Sequence, residues 1–196
     1  MVTTMNPSRA KDPPCPGGAA PAEMAVRDRK RMRKSREAPC AYAPAMRAAV
    51  GGGLGLSLMV AFANWAHLPL EAMPFTTSIV LVMAAPESGQ AQPRNIIGGH
   101  LLSALSGLVI WMMFGTNPLL AGPAVALSIA AMQLTGTLHP PAGINAVLFV
   151  SMHLSWQFVL MPVAVGALGL VAFAFVYHRL TAPGRWPKSW WAPLRQ

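Results

Sequence analysis

The feature that most constrains this chain is a long stretch that is almost free of charge. Residues 48–178 contain three charged side chains, which are Arg94, Glu71 and Glu87. Both ends are basic: residues 1–47 carry ten Lys or Arg against four Asp or Glu, and residues 179–196 carry four basic groups and no acidic one. A charged side chain at the centre of a bilayer costs about 2.5–3.5 kcal/mol on insertion scales. An apolar body between two basic ends therefore predicts an all-α, polytopic membrane helix bundle.

The composition of the whole chain excludes most soluble classes. Only 11% of its 196 residues are charged and 54% are hydrophobic, whereas about a quarter of the residues of a soluble domain are charged. A nucleic-acid-binding protein would array its Lys and Arg on a folded surface. Here a basic run fills residues 27–36, which is typical of a solvated tail next to a membrane. Cys15 and Cys40 have no metal-ligand spacing, so neither a disulfide framework nor a zinc site is expected.

These patterns divide the chain into three parts. Residues 1–45, rich in Pro, Gly, Ala and Arg, are predicted to be a disordered basic cytoplasmic tail. Residues 46–180 form the predicted transmembrane domain, and residues 181–196 a basic, Trp-rich tail at the membrane interface. An Ala-Phe-Ala sequence at residues 61–63 mimics a signal-cleavage site, but its distance from the start favours a membrane anchor.

Four apolar segments are long enough to cross a bilayer as helices. Each has about 20 residues or more, which matches the ~30 Å of hydrocarbon. They are residues 48–70, 95–114, 118–138 and 156–177. Small residues at four-residue spacing in two of them, Gly51 and Gly55 and then Gly99, Ser103 and Gly107, predict close helix packing.

Two other apolar segments are too short to cross alone. Residues 74–85 and 141–153 would extend only about 18–20 Å as helices, and each begins at a proline. We expect two short broken or re-entrant helices besides the four long ones, with their ends satisfied by neighbouring protein or water. The basic ends place both termini in the cytoplasm. The number of crossings is then four if the short helices re-enter and six if they cross.

Two polar stretches, residues 86–95 and 135–141, interrupt the apolar body, and each leads directly into a helix. A helix N-terminus offers unpaired N–H groups and about half a positive charge. Two such ends beside Arg94 predict a site for a small anion on the cytoplasmic side. The other residues assigned to this site are Glu87, Gln92, Asn95, His100, His139, Pro140, Pro141 and Asn145. Asn95 is the expected N-cap of its helix, and Pro140 or Pro141 suits a first helical turn.

Several of these residues also have structural interpretations. Arg94 also fits a cytoplasmic-loop residue or a partner of Glu87. Glu87 also fits a helix cap, a partner of an arginine or a proton carrier. His139, before two prolines, also suits a turn bonded to the backbone. His67 and His153 are expected at the outer interface. The spacing of His100, His139 and His153 does not indicate a metal site, and no hydrolase or metalloprotease motif is present, so no catalytic residue, metal or cofactor is expected.

Three segments carry a resemblance to a known family. Ala-Pro-Glu-Ser at residues 85–88, Gln-Pro-Arg-Asn-Ile-Ile-Gly-Gly-His at 92–100 and His-Pro-Pro-Ala-Gly at 139–143 resemble the HPP family of integral membrane proteins. The resemblance covers about residues 46–180 and implies four membrane-spanning helices. Some plant-plastid and cyanobacterial members are linked to nitrite transport, which implies a similar activity here. The chain departs from the family pattern at Thr76-Thr77, where Gly-Ala is frequent, and at Gly89-Gln90, which replaces Pro-Leu.

We therefore expect a transporter or channel for a small anion, with nitrite as the named candidate, in the cytoplasmic membrane. The alternative is a non-transporting membrane scaffold or sensor. The expected partners are the lipid bilayer and a small inorganic anion, without nucleic acid, and homo-oligomer formation is left open. A transporter requires a polar cavity that reaches the midplane around Arg94 and His139, whereas a scaffold would pack this region shut.

Overall fold

The computed structural model describes residues 42–67, 74–152 and 154–190. This part of the chain contains helices and turns and no strand, so the all-α prediction is confirmed. The α-helices are α1 (Tyr42–Trp65), α2 (Thr76–Ala84), α3 (Pro93–Phe114), α4 (Ala121–Leu134), α5 (Ile144–Ser151) and α6 (Val165–Thr181). Short 3-10 helices occupy Gly89–Ala91, Pro118–Leu120 and Pro140–Gly143, and a π-helical segment, Val159–Ala164, leads into α6.

Three helices are long and apolar enough to cross a membrane. They are Tyr42–Trp65, Pro93–Phe114 and the continuous Val159–Thr181. The fourth predicted span, residues 118–138, is shorter than expected because its helix ends at Leu134. The prediction of four long spanning helices is thus confirmed for three of them.

A C-terminal cap explains where the fourth helix ends. Gly136 adopts a left-handed φ of 64°, which a residue without a Cβ takes up at little cost. Its N–H donates to the Gln133 carbonyl at 3.1 Å, and the N–H of Thr137 donates to the Met132 carbonyl at 2.8 Å. This pair of bonds is the Schellman motif, which satisfies the last carbonyls of a helix and turns the chain away from its axis.

The two short segments form short helices. α2 has nine residues, and α5 has eight after a 3-10 turn of four. At 1.5 Å per residue, α2 extends about 14 Å, roughly half of the hydrocarbon thickness. Their shortness agrees with the sequence, and the choice between crossing and re-entry stays a prediction.

The predicted small-residue positions lie at close helix contacts. A Cβ added to Gly107 of α3 would lie 2.7 Å from Cα of Ala146 on α5, and one added to Gly99 would lie 2.6 Å from Cβ of His139. On α1, the same test brings Gly51 to 2.5 Å from the Tyr177 ring and Gly55 to 2.6 Å from the Phe173 ring. The packing interpretation of these residues is therefore confirmed.

The chain ends differ in detail from the predicted tails. α1 begins at Tyr42, within the segment assigned to the N-terminal tail, and the rest of that tail, with both cysteines, lies outside the described residues. Near the C-terminus, Trp190 is exposed as an interfacial residue would be, but Trp186 is buried. The Trp186 indole N–H donates to the Ala91 carbonyl at 2.8 Å, which gives this amphipathic side chain a partner inside the protein.

Candidate functional site

The two polar stretches lie against each other at one end of the bundle. The Arg94 guanidinium donates to the Thr135 carbonyl at 2.7 Å. The Asn95 side-chain amide donates to the Leu138 carbonyl at 2.9 Å. The beginning of α3 and the segment before α5 are therefore adjacent, which is the arrangement that a shared anion site requires.

The N-cap of α3 is Gln92 rather than the predicted Asn95. Pro93 occupies the first helical position, where no N–H is needed, and the Gln92 carbonyl accepts from the N–H groups of Asn95 and Ile96 at 3.0 Å. The prediction of Asn95 as the cap was wrong because its side chain reaches across to the Leu138 carbonyl instead. Pro140 and Pro141 do begin a helical turn, as predicted.

The Gln92 side chain joins two segments of backbone. Its amide nitrogen donates to the carbonyls of Pro86 and Ser88, and its oxygen accepts from the N–H groups of Lys188 and Ser189. Only 2% of this residue is exposed. Gln92 therefore holds the C-terminal segment against the first polar stretch, a contact that the sequence did not indicate.

Arg94 and Glu87 have different surroundings. Arg94 is half-buried beside the second polar stretch. The Glu87 side chain is 63% exposed and lies 3.6 Å from the Arg185 guanidinium. Glu87 is thus an arginine partner, one of its three sequence-based interpretations, although an exposed ion pair contributes only about 0–1 kcal/mol.

Deeper in the bundle, four side chains form what we call the buried polar cluster. It consists of Ser78 on α2, His100 on α3, His139 before α5 and Asn145 on α5, each with an exposed fraction of 0%. The Ser78 hydroxyl lies 2.9 Å from Nε2 of His100 and 2.9 Å from Nε2 of His139. The Asn145 amide nitrogen lies 3.0 Å from Nδ1 of His100, and His139 Nδ1 lies 2.7 Å from the Gln90 carbonyl oxygen.

Glycine and aromatic packing position the two imidazoles. Gly99, which lacks a Cβ, gives His139 room to approach α3. The Phe75 ring packs on His100, with ring centroids 4.6 Å apart, and the two imidazole centroids are 5.2 Å apart. The pairing of His100 with His139 therefore depends on the Gly-Gly-His sequence of residues 98–100.

The partners of each imidazole determine where its proton resides. His139 Nδ1 faces a carbonyl, so it carries the proton, and its Nε2 accepts from Ser78. The Asn145 nitrogen also donates to the His100 carbonyl at 3.0 Å, which identifies it as the amide NH₂. His100 Nδ1 therefore accepts from Asn145, and its Nε2–H donates to Ser78.

Burial favours the neutral form of His139, which lies between α4 and α5 and outside the three long spans. Removal from water lowers the pKa of His139 to about 4, and the hydrogen bond to the Gln90 carbonyl opposes this change. The imidazole is therefore uncharged at neutral pH, in agreement with the proton positions inferred from its partners.

Other sequence assignments fall outside this arrangement. Ser78 was not among the predicted residues. The only feature of the sequence that pointed to it is its position as a serine within a nine-residue, largely apolar helix. His67 is exposed and His153 lies outside the described residues. Within the part of the chain that the structure describes, no group of three or more His, Cys, Asp or Glu side chains is arranged to hold a metal.

Comparison with known proteins gives the family of this chain. Two transmembrane proteins of Dictyostelium discoideum are 38% and 34% identical over 125 residues, which is 60% of this chain but only 44% and 40% of theirs. The chain thus spans less than half the length of these curated relatives. No solved structure matches. The sequence matches the family described as "HPP, transmembrane region" over residues 37–187, more than half of its length, and the chain therefore belongs to the HPP family of transmembrane proteins.

Proposed function

We propose that this HPP membrane protein is a transporter or channel for a small inorganic anion. The observation that carries the proposal is a set of polar side chains that begins at one end of the bundle and continues into its interior. It leads from Arg94 and Asn95 at one end to His139 and on to His100 and Asn145 in the interior. Polar and ionisable residues within a membrane domain are costly and mark substrate or ion pathways by default.

The charge at the Arg94 end of this set selects the substrate class. Arg94 carries a planar guanidinium, which suits the paired oxygens of a small oxyanion. It stands in the first turn of α3, where the helix dipole also favours negative charge. His139, Pro140 and Pro141 follow directly after Leu138, whose carbonyl accepts from the neighbouring Asn95. Nitrite as the substrate comes from the family resemblance alone.

One observation favours the alternative, a membrane scaffold or sensor that transports nothing. The four side chains of the buried polar cluster are fully buried and bond to one another, as they would in a structural core. A transporter must separate these contacts to let an ion pass. The two functions therefore differ in whether ions cross the protein.

A flux assay on the purified full chain in liposomes tests the proposal. We expect nitrite uptake above that of protein-free liposomes, and a panel of nitrate, formate, bicarbonate and chloride would define the specificity. Arg94→Ala should lower uptake about tenfold or more, because a hydrogen bond to a charged group contributes about 1.5–3 kcal/mol. Arg94→Lys keeps the charge but loses the fork geometry and should retain part of the uptake.

Arg179→Ala is the matched control, since Arg179 is an exposed cation in the last turn of α6 and not part of this set of polar side chains. Uptake by Arg94→Ala equal to that of the parent would remove the role of Arg94. Absence of flux for every anion in the parent protein would favour the scaffold or sensor function.

A further inference from the structure

We propose that a basic pocket at one end of the bundle binds the phosphate of an anionic phospholipid, and that the apolar groove next to it holds an acyl chain of the same molecule. The pocket lies between the beginning of α1, the end of α2 and the end of α6, and its polar lining consists of Arg47, Tyr177, His178, Thr181 and Arg185. None of the residues assigned to the anion site lines it. The proposal therefore does not depend on anion transport.

Two hydrogen bonds between helices fix the walls of this basic pocket. The Tyr177 hydroxyl donates to the Arg47 carbonyl at 2.8 Å, which joins the end of α6 to the beginning of α1. The next residue, His178, is buried, and its Nε2–H donates to the carbonyl of Val82 on α2 at 3.2 Å. The three helices are therefore held together around the pocket.

The neutral side chains that line the pocket have already used their donors. The Tyr177 hydroxyl and the His178 Nε2–H donate to the carbonyls just named, and the Thr181 hydroxyl donates to the Tyr177 carbonyl of its own helix at 2.8 Å. The side-chain donors that remain belong to the guanidinium groups of Arg47 and Arg185. Because guanidinium groups match the oxygens of carboxylates and phosphates, these donors select an oxyanion over a neutral acceptor.

The Arg185 guanidinium lacks an acceptor for one of its donors. Its Nε atom is shielded from solvent, yet it has no hydrogen-bond partner among the described residues. An oxygen of the Glu87 carboxylate is 3.6 Å away, which is too far for a hydrogen bond, and 63% of that side chain is exposed. Within the described part of the chain, no hydrogen bond or ion pair engages the Arg47 guanidinium. Buried polar atoms are rarely left unsatisfied, so we expect an acceptor oxygen from another molecule here.

The size and position of the pocket favour a lipid headgroup over a free ion. Its volume is about 10 Å³, close to the minimum that holds one water-sized group, so one phosphate oxygen fits and the rest of the ligand stays outside. Tyr42 begins and Thr181 ends two of the helices that are long enough to cross a membrane. The pocket is therefore close to the headgroup level, where basic pockets between membrane helices bind phospholipids.

An apolar groove of about 360 Å³ continues from the pocket along α1 and α2. Ala48 and Met83 line both the pocket and the groove. On α1 the groove extends to Leu56, about 12 Å from Ala48 at 1.5 Å per residue. Gly52 keeps it open, since no atom lies within 4 Å of a Cβ added there. A basic pocket that shares its wall with an apolar groove matches a negatively charged headgroup joined to an acyl chain.

Native mass spectrometry of the purified full chain in a neutral detergent tests the proposal. We expect one tightly bound phosphatidylglycerol, and binding of phosphatidylcholine weaker by about tenfold or more, because its choline cation opposes the two guanidinium groups. Arg47→Ala and Arg185→Ala should each weaken phosphatidylglycerol binding about tenfold or more, the effect of a lost hydrogen bond to a charged group.

Arg179→Ala is the matched control, since it removes an exposed cation from the same end of α6 that does not line the pocket. We expect it to bind phosphatidylglycerol as the parent does. A loss as large as that of Arg47→Ala would show attraction to basic charge in general and would overturn the pocket. Equal binding of the two lipids by the parent would overturn it as well, and that measurement requires no variant to fold.

Two further measurements separate a lipid from free phosphate. Gly52→Leu fills the groove and leaves both guanidinium groups in place, so phosphatidylglycerol binding should fall as far as it does in Arg47→Ala. The variant should fold as the parent does, because its Cβ meets no other atom. An excess of inorganic phosphate should not displace the lipid. Displacement by inorganic phosphate, or unchanged lipid binding in Gly52→Leu, would overturn the phospholipid as the ligand.

Discussion

The helices α1 and α3 look alike in sequence and differ in the structure. They have 24 and 22 residues, and both are apolar enough to cross a membrane. Only 11% of the apolar window of α1 is buried, however, against 39% of that of α3. α3 buries polar side chains such as His100 and Ser103, whereas the buried residues of α1 are two glycines and an alanine. α1 therefore forms an outer wall of the bundle, and α3 lies at its centre.

This difference shows what apolar character alone does not reveal. α1 packs on α2 and α6 through Gly51 and Gly55, and apolar grooves of about 360 and 270 Å³ flank these contacts. Gly52 and Gly53, next to them in sequence, have no atom within 4 Å of an added Cβ. We therefore expect substitutions on α3 to affect stability strongly and most substitutions on α1 to affect it weakly.

The largest effect is expected for Gly107→Leu on α3. An added Cβ would lie 2.7 Å from Cα and 2.8 Å from the carbonyl oxygen of Ala146, which are backbone atoms that cannot rotate away. Overpacking of this kind costs about 3 kcal/mol or more when the neighbour is rigid. Fluorescence-detected size exclusion after heating should show a large loss of monodisperse protein.

Gly53→Leu on α1 provides the control, because it adds the same side chain at an exposed position. We expect its thermal profile to match that of the parent. Equal losses in both variants would contradict the distinction between an outer and a central helix.

Most residues of the candidate site were predictable from the sequence, including His100, His139 and Asn145 of the buried polar cluster, but Ser78 at its centre was not. The adjacency of residues 86–95 and 135–141 followed from polar stretches that lead into helices. Ser78 carries no such signal, since a serine in a short apolar helix is common. Its importance arises from two histidines that are 39 positions apart in sequence and both lie 2.9 Å from its hydroxyl. These groups meet only in the folded chain, where α2, α3 and the segment before α5 come together.

The end of α4 was predictable from its capping residues, although the predicted span extended beyond it. Thr135-Gly136-Thr137 was identified as a polar stretch, but Gly136 also signals the end of a helix. The predicted span to residue 138 ignored this signal. The burial of α1 and α3 was not predictable from hydropathy, because lipid tails are as apolar as a protein interior. Glycine spacing helped only in part, since Gly51 packs closely and Gly53 does not.

A smaller effect is expected for Ser103→Ala on α3. The Ser103 hydroxyl accepts from the N–H of Ala146 at 3.3 Å. Ala146 is the third residue of α5, so its N–H has no partner within its own helix. Ser103 on α3 thus caps the neighbouring helix α5, and its loss should lower the free energy of unfolding by about 1 kcal/mol. A lower denaturation midpoint in detergent would measure this change.

Ser106→Ala is the comparison for this variant, three residues along the same helix. Its hydroxyl bonds a carbonyl of α3 itself, so we expect a change within about 0.5 kcal/mol. A loss as large as that of Ser103→Ala would show that the cap on α5 is not what Ser103 contributes.

The smallest effect is expected for Gly53→Ala on α1. The new methyl group meets no atom within 4 Å, and alanine is favoured over glycine inside a helix by about 0.5–1 kcal/mol. The midpoint temperature of thermal unfolding should therefore be unchanged or slightly raised. Gly51→Ala, two residues away, should lower it, because its Cβ would lie 2.5 Å from the Tyr177 ring and 2.8 Å from the Met83 sulfur. If Gly53→Ala destabilised the protein as much as Gly51→Ala, the open face of α1 would have to be covered by another chain, and α1 would no longer be an outer wall.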